Sequence, residues 1–226
     1  MILSAHQPAY LPWLGYFDKI AKSDVFVYLD TVQFEKNSFI NRNQIKTPQG
    51  ASWLTIPIKT KGHITGSLRT TEIDDSQPWR SKHLKSIEMN YRRAARFDEC
   101  FPRIKAMLTM QECNLSDFCF HHLCFWLKEL GINTSIVRSS ELSITSAKSK
   151  LVLDLCQHFG IRQYLSGALG RDYLIEEEFG KAGIAVEYQS FKSPVYPQLW
   201  GDFIPNLAVL DWWMSGAELP TFRRQA

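Results

Sequence analysis

The chain lacks long apolar runs and an organised cysteine framework. No uninterrupted apolar stretch approaches the roughly 20 residues that cross a bilayer, so we expect no membrane span. The 226 residues include five cysteines, an odd number without the paired spacing of a disulfide scaffold. We also expect no signal peptide. These absences predict reduced thiols and a cytoplasmic location.

Charge of one sign and glycine-rich phosphate loops are also scarce. The formal net charge is +3, which gives no strong sign of a nucleic-acid partner, although a local basic patch is compatible with it. Neither GxxxxGK[ST] nor GxGxxG occurs, so no standard phosphate-binding loop is present. The aromatic content of 13%, with seven tryptophans, suits a packed core and also a sugar- or base-binding surface.

The first thirty residues predict the start of a βαβ unit. Residues 1–5 are apolar and favour a buried strand, helical spacing follows from Trp13, and a second apolar run, 25–29, ends on Asp30. In open α/β sheets, ligands bind at the carboxyl ends of the strands. His6 and Gln7 occupy one predicted strand end and Asp30 the next, so this edge is the leading candidate site.

Strands and helices alternate at both ends of the chain, and helices dominate the middle. This order predicts an α/β fold with a mainly parallel sheet flanked by helices. We expect a single domain over residues 1–226, with a central helical segment at about residues 76–131. Further strands are predicted at 51–58, 67–73, 134–138, 163–165 and 185–188, helices at 76–91, 98–110, 116–130, 146–159 and 174–181, a polar loop at 31–49 and a basic loop at 59–66.

The segment CFHHLC, residues 119–124, gathers four potential zinc ligands. On a helix, Cys119 and His122 share one face, whereas His121 and Cys124 share another about 100° away. A closed site with all four ligands would therefore require a broken helix. The apolar neighbours favour a buried helix instead.

A longer pattern carries a family resemblance. The string His6-Gln7-Pro8-x-Tyr10-Leu11-Pro12-Trp13-x-Gly15-Tyr16-Phe17 resembles the opening of the WbqC-like family of bacterial proteins. The similarity continues at Asp24-Val25-Phe26, Asp30, Asn41-Arg42-Asn43, Tyr164-Leu165-Ser166-Gly167, Arg171-Asp172-Tyr173, Tyr196-x-Gln198, Phe203-x-Pro205 and Leu210-Asp211. It covers nearly the whole chain, and the central helices are its least specific part.

This resemblance implies a protein encoded among genes for surface polysaccharide (O-antigen). The implied function is a transferase of lipopolysaccharide biosynthesis that attaches an amino-acyl group, such as glycine, to an amino sugar. The donor stays open between an aminoacyl-tRNA, an adenylate and a thioester. The alternatives are a non-catalytic protein that binds a sugar nucleotide or glycan, and an ATP-dependent ligase that activates a carboxylate. Residues 146–150 (SAKSK) and His6 give that ligase a weak analogy to nucleotide-activating α/β enzymes.

Three residues are candidates for catalysis. Imidazole titrates near neutral pH, so His6 could take a proton during acyl transfer, or it could simply hold its turn by hydrogen bonds. Gln7 could donate to an oxyanion or cap the turn. Asp30 could orient His6, bind a sugar hydroxyl or bind Mg²⁺, or it could act as an N-cap or form an Asx turn.

The candidates for substrate binding lie in two later segments. Arg42 can grip phosphate or carboxylate with two hydrogen bonds, and Asn41 and Asn43 flank it. Ser166, Gly167, Arg171 and Asp172 lie between a predicted strand and a helix, where a glycine allows close approach of a ligand and an arginine can pair with phosphate. The resemblance adds Tyr10 near the amino terminus. It also adds Tyr196, Gln198 and Asp211, for which packing of the carboxyl-terminal tail over the sheet is an equal alternative.

Overall fold

The computed structural model describes residues 1–59, 66–218 and 222, so most of the predicted basic loop at 59–66 lies outside the described residues. Within the described residues the strands are β1 Ile2–His6, β2 Val25–Tyr28, β3 Arg42–Thr47, β4 Gly50–Thr55, β5 Ser135–Arg138, β6 Gln163–Ser166 and β7 Ala185–Tyr188. The α-helices are α1 Leu14–Ala21, α2 Trp79–Tyr91, α3 Phe97–Leu108, α4 Leu115–Glu129, α5 Lys148–His158, α6 Glu176–Lys181 and α7 Val209–Ser215. Short 3₁₀ turns cover Leu68–Thr70, Ser139–Glu141 and Ala168–Asp172. This is the α/β fold that the sequence predicts.

The central sheet has five parallel strands in the order β5–β2–β1–β6–β7. In register, Leu3 of β1 lies between Val25 of β2 and Tyr164 of β6. The chain first builds outward from β1 through β2 to β5, and then returns to the other side of β1 with β6 and β7. The strand order therefore reverses between β1 and β6, which is the place where open α/β sheets bind ligands.

Alternate residues of the strands face two separate cores. Val25 and Val27 pack with the apolar faces of α5 and α6, whereas Phe26 and Tyr28 pack with α1 and the central helices. Successive side chains of a strand point to opposite faces of a sheet, and each face here is covered by helices. The inner strands β1, β2 and β6 are buried on both sides, so a ligand can reach them only at their ends.

Two segments differ from the sequence-based expectation. The predicted polar loop at 31–49 contains β3, which pairs antiparallel with β4 as a separate two-stranded sheet. The predicted strand at 67–73 is wrong, because Leu68–Thr70 forms a 3₁₀ turn. An apolar residue alternates with polar ones in both segments, and that pattern alone does not separate a strand from a turn whose apolar residue is buried.

The central helices and the carboxyl-terminal helix form a thick layer on one face of the sheet. Helix α4 contains the CFHHLC segment without a break, as predicted: Cys119 and His122 are buried and His121 and Cys124 are exposed. Helix α7, which the sequence analysis missed, packs Trp213 against Trp126 of α4. No helix among the described residues is both long and apolar enough to cross a membrane.

Candidate functional site

The gap between the carboxyl ends of β1 and β6 brings together two predicted segments that are 160 residues apart in the sequence. His6 is the last residue of β1 and Gln7 follows it; Ser166 is the last residue of β6 and Gly167 follows it. Both strands run parallel, so their ends meet at one edge of the sheet. We call this place the switch-point site, and define it by His6, Gln7, Ser166, Gly167 and a fifth residue described below.

His6 is partly buried beside aromatic rings. Its ring centroid lies 4.9 Å from that of Tyr16 and 5.9 Å from that of Trp13. The Nδ1 atom is 2.9 Å from the backbone carbonyl of Gln7, so it carries the proton and Nε2 is left as the acceptor. Burial lowers the pKa of His6 to about 3, and the charge of Lys19 acts in the same direction. The imidazole is therefore neutral at physiological pH, so Nε2 can accept a proton, but burial makes it a weaker base than the near-neutral imidazole that the sequence suggested.

Lys19 is the fifth residue of the site, and sequence analysis missed it. It lies on α1, yet its side chain is buried, with 3% exposure, and Nζ donates to the carbonyl of Ala5 at 3.0 Å. A Cβ atom built on Gly167 would lie 3.8 Å from Nζ, so the ammonium reaches the end of β6 as well. Burial lowers the pKa of Lys19 to about 7. The sequence offers no signal for it, because Lys19 lies away from the helix face that carries Leu14, Phe17 and Ile20.

The segment after β6 is shaped by close packing. Ser166 is buried and its Oγ donates to the carbonyl of Gly167 at 3.0 Å. A Cβ atom at Gly170 would come within 1.9 Å of the same Oγ, so only glycine fits there. The predicted residues Ser166 and Gly167 thus lie at the switch-point site, held by the turn that follows.

Arg171 and Asp172 lie farther along this 3₁₀ turn. The Arg171 guanidinium stacks over the ring of Tyr188 at 3.9 Å, beside the end of β7. The Asp172 side chain is exposed and makes no hydrogen bond to the described residues. Both residues border the carboxyl edge of the sheet, and the contacts place neither of them against His6.

Asp30 is fully buried, but its hydrogen-bond partners are not the predicted partner His6. Its carboxylate accepts hydrogen bonds from Arg138 Nε, Ser139 Oγ and both the backbone N–H and Oγ of Ser140. Burial disfavours the ionised form, but these hydrogen bonds from Ser140, Ser139 and Arg138 outweigh it and lower the pKa of Asp30. The expectation that Asp30 orients His6 is therefore corrected: Asp30 joins the end of β2 to the end of β5, and His6 pairs with Gln7.

The surroundings of Asp30 do not fit Mg²⁺. A magnesium site needs several oxygen ligands, whereas Asp30 faces a guanidinium, two hydroxyl donors and an N–H donor. In the residues that the structure describes, no cluster of three or more His, Cys, Asp or Glu side chains could hold a metal ion.

A polar cleft of about 220 Å³ lies over the ends of β2 and β5. The residues that line it are Arg69, Asp117, Arg138, Ser140 and Glu141. Arg138 is already engaged there, at 2.9 Å from Asp30 and 2.5 Å from Asp117. The cleft therefore holds two acidic and two basic side chains, whose charges offset one another.

The residues of the motif that follow His6 form a turn, which later segments hold by hydrogen bonds. Leu11 has a positive φ of 46°, and Asn43 Nδ2 donates to its carbonyl at 2.5 Å. Asn41 Nδ2 donates to the Ile56 carbonyl at 2.8 Å. Tyr10 is buried, with its hydroxyl 2.9 Å from Nδ1 of His83. Tyr10, Asn41 and Asn43, predicted to bind substrate, have their side chains engaged in these internal contacts.

Arg42 instead belongs to a row of aromatic rings that leads away from His6. The ring of Trp13 lies 5.3 Å from that of Phe39, Phe39 lies 5.7 Å from Trp53, and the Arg42 guanidinium stands 4.2 Å above the ring of Trp53. Phe39 and Trp53 are each 41% exposed. We call these four residues the aromatic row; it is an open platform that starts beside the switch-point site.

Tyr196 and Gln198 belong to a buried network centred on Asp211. The carboxylate accepts from the hydroxyls of Tyr91 at 2.7 Å and Tyr196 at 2.9 Å, and from Gln198 Nε2 at 2.8 Å. Gln198 Oε1 also accepts from Lys46 Nζ at 3.1 Å. These contacts fasten the carboxyl-terminal segment to β3 and α2, so packing of the tail accounts for these motif residues.

A parallel sheet whose strand order reverses between β1 and β6, with helices on both faces, defines an α/β fold of the doubly wound type. The chain belongs to the WbqC-like protein family, whose model matches residues 7–218. It is also 36% identical, over 96% of its own length and 95% of the relative's, to an uncharacterised protein of Mycobacterium tuberculosis (strain H37Rv), Rv1507c. No solved structure matches the chain.

Proposed function

We propose that this protein is a transferase of bacterial surface-polysaccharide biosynthesis that attaches an amino-acyl group to the amino group of a nucleotide-linked sugar. The observation that carries the proposal is the meeting of His6 and Gln7 with Ser166 and Gly167 where the strand order reverses. Sites of this geometry hold nucleotide-containing ligands in open α/β sheets. The family resemblance supplies the polysaccharide context.

His6 is the proposed base of the transfer. The sugar nitrogen attacks the acyl carbonyl carbon, the new amide C–N bond forms, and the bond from that carbon to the donor's leaving group breaks. Nε2 of His6 accepts the proton that the nitrogen loses and returns it to the leaving group, because Nδ1 is already engaged by Gln7. The Gln7 side chain makes no hydrogen bond to the described residues and is free to donate to the carbonyl oxygen.

The aromatic row is the proposed platform for the sugar or the base. Tryptophan faces stack on apolar faces of sugars and on nucleobases, and a partly exposed row provides such faces without a change of fold. Trp13 contacts His6 directly, so a ligand on the row extends into the switch-point site. Asn43 supports the turn after His6, because its side-chain amide donates to the Leu11 carbonyl.

The experiment that tests this function has two stages. Purified protein is first screened by thermal shift against UDP-, dTDP- and GDP-sugars, ATP with and without Mg²⁺, and free amino acids, since a ligand of the native state raises the melting temperature. The sugar nucleotide that shifts it is then incubated with aminoacyl-tRNA, aminoacyl-adenylate and aminoacyl-thioester donors. Mass spectrometry of the sugar nucleotide detects the gain of one amino-acyl group.

The proposal predicts that product forms with one donor class, that His6→Ala lowers kcat while leaving most of the substrate affinity, and that the exposed control His121→Ala changes neither. Binding without product from any donor would support the sugar-nucleotide-binding alternative. Cleavage of ATP in the presence of a carboxylate, without a sugar acceptor, would support the ligase alternative.

A further inference from the structure

Lys19 is buried, and within the part of the chain that the structure describes it lacks the ion pair that normally stabilises the charge of a buried lysine. Its Nζ is buried at the carboxyl end of the sheet, where its hydrogen bond is to a neutral carbonyl, that of Ala5. Within residues 1–59, 66–218 and 222, it forms no ion pair with a carboxylate. An ammonium has three donors and stable burial of its charge requires an anion. Lys19 therefore lacks a partner that a ligand can provide.

The surroundings of Nζ show where that partner would sit. The ammonium lies between the end of β1 and Gly167 at the end of β6, and the missing side chain of Gly167 leaves space on that side. The other buried lysine among the described residues, Lys46, gives a contrast. Its Nζ donates both to Gln198 Oε1 and to the Asp202 carbonyl, and its charge also acts on the buried carboxyl of Asp211, whose pKa it lowers. The described residues thus supply two hydrogen-bond acceptors for the Lys46 ammonium but only one for the Lys19 ammonium.

We propose that Lys19 is the phosphate-binding residue of the switch-point site and that its ammonium holds a phosphate oxygen of the nucleotide-containing ligand. The inference rests on the proposed function, whose ligand it places. It explains how a chain without a glycine-rich phosphate loop can hold a nucleotide: a buried cation replaces the row of backbone N–H groups.

Among the described charged and titratable groups around Lys19, Lys19 is the group whose protonation should change when a ligand binds near neutral pH. His6 at the end of β1 is neutral, because burial lowers its pKa to about 3. On α1, Asp18 is paired with Lys22 at 3.0 Å and with Gln189 at 2.7 Å. On β6, Tyr164 beside the Ala5 backbone stays neutral, because burial raises its pKa. Burial lowers the pKa of Lys19 to about 7, and a bound phosphate raises it again.

The first test is isothermal titration calorimetry with UDP, ADP and inorganic pyrophosphate, which separate recognition of the base from recognition of the phosphates. Free glycine serves as a carboxylate probe. We expect Lys19→Met to raise the Kd of every phosphate probe that the wild type binds by about 30-fold or more, because it removes one partner of a buried charge pair. Lys22→Met, which removes the half-buried lysine just after the same helix, should change these Kd values by less than about twofold.

The second test needs no variant and uses UDP-glucose, whose diphosphate charge is constant over the range studied. If Lys19 binds the phosphate, the affinity of the wild type should fall as the pH rises from about 7 to about 8.5, because the free ammonium then loses its proton. Below about pH 7 the affinity should change little. Lys19→Met should abolish this dependence, and Lys22→Met should retain it.

Phosphate binding that is unchanged in Lys19→Met, an affinity that does not vary between about pH 7 and 8.5, or binding of glycine alone would each overturn the inference. Failure of all phosphate probes to bind the wild type would overturn it too. If phosphate binding depends on Lys19 but no amino-acyl product forms with any donor, the inference stands and the transferase function fails. If product forms but phosphate binding does not depend on Lys19, the transferase function stands and the inference about Lys19 fails.

Discussion

Nε of Arg138 lies 2.9 Å from the carboxylate of Asp30, and this contact joins the carboxyl ends of β5 and β2. Asp30 is completely buried, whereas the Arg138 side chain is 21% exposed. The Ser139 and Ser140 donors complete the shell around the carboxylate. This pair ties the end of β5 to the end of β2, the strand next to β1 in the sheet.

Asp30→Asn should therefore destabilise the fold. The substitution removes the buried charge that Arg138 and the serines contact, at a cost of about 3 kcal/mol in the free energy of unfolding. Asp117→Asn is the matched control, because it removes the other carboxylate on Arg138 from a more exposed position, and it should cost less than about 1 kcal/mol. Urea denaturation measures both. Equal losses would contradict the central role of Asp30.

Gly170→Ala should disturb the turn that carries Ser166 and Gly167. The new methyl group would fall 1.9 Å from Ser166 Oγ, so the buried serine must move, at about 1–3 kcal/mol of stability. Gly180→Ala in α6 is the control: nothing lies within 4 Å of its added methyl group, and helix propensity should stabilise the protein by up to about 1 kcal/mol. Thermal unfolding of the two variants should shift in opposite directions. A stable Gly170→Ala protein would show that the turn is loosely packed.

The Asp211 network should give a defined pH dependence of stability. Burial raises the pKa of Asp211 above 3.8, although hydrogen bonds from Tyr91, Tyr196 and Gln198 act in the opposite direction. The folded state then binds more protons than the unfolded state over this window, so the contribution of Asp211 to stability falls as the pH rises above about 4. Wild type should lose free energy of unfolding relative to Asp211→Asn between low pH and neutrality. A gain by the wild type over that range would reverse the sign of the shift.

Trp53→Ala should weaken sugar-nucleotide binding without unfolding the protein. The ring is 41% exposed and carries the Arg42 guanidinium on one face. Loss of one stacked ring should cost about 1–3 kcal/mol of binding free energy for UDP-glucose, measured by calorimetry. Met89→Ala, an exposed apolar residue on α2, is the control and should have no effect. Unchanged affinity in Trp53→Ala would remove the aromatic row from the binding surface.

The sequence predicted the sheet well because its strands are short apolar runs that end on polar or turn residues. Strand β7 matches its prediction at 185–188, and Gly131 and Gly160 adopt the positive φ of the predicted helix ends. Helix α7 was missed because Trp212 and Trp213 lie in an aromatic, proline-rich tail whose helical turn is stabilised by packing on α4. Strand β3 was missed because its residues are mostly polar, so its pairing with β4, which overlaps the strand predicted at 51–58, was not foreseen.

The site was only partly predictable, for a physical reason. Strand ends are visible in the sequence, so His6, Gln7, Ser166 and Gly167 could be named. The strand order, which decides that β1 and β6 are neighbours, depends on tertiary contacts. Long-range polar contacts, such as the one between Asp30 and Arg138, are also set by the fold, and they turned several predicted ligand-binding residues into internal supports.

Hydrogen–deuterium exchange with and without UDP-N-acetylglucosamine tests the central claim most directly, because it shows where on the sheet edge a ligand binds. A ligand at the switch-point site should slow exchange in peptides that cover residues 5–13 and 164–171, and should leave those that cover 69 and 138–141 unchanged. The same protection should be absent in Lys19→Met at an equal ligand concentration. Protection confined to residues 69 and 138–141 would contradict the account and move the ligand to the cleft over β2 and β5.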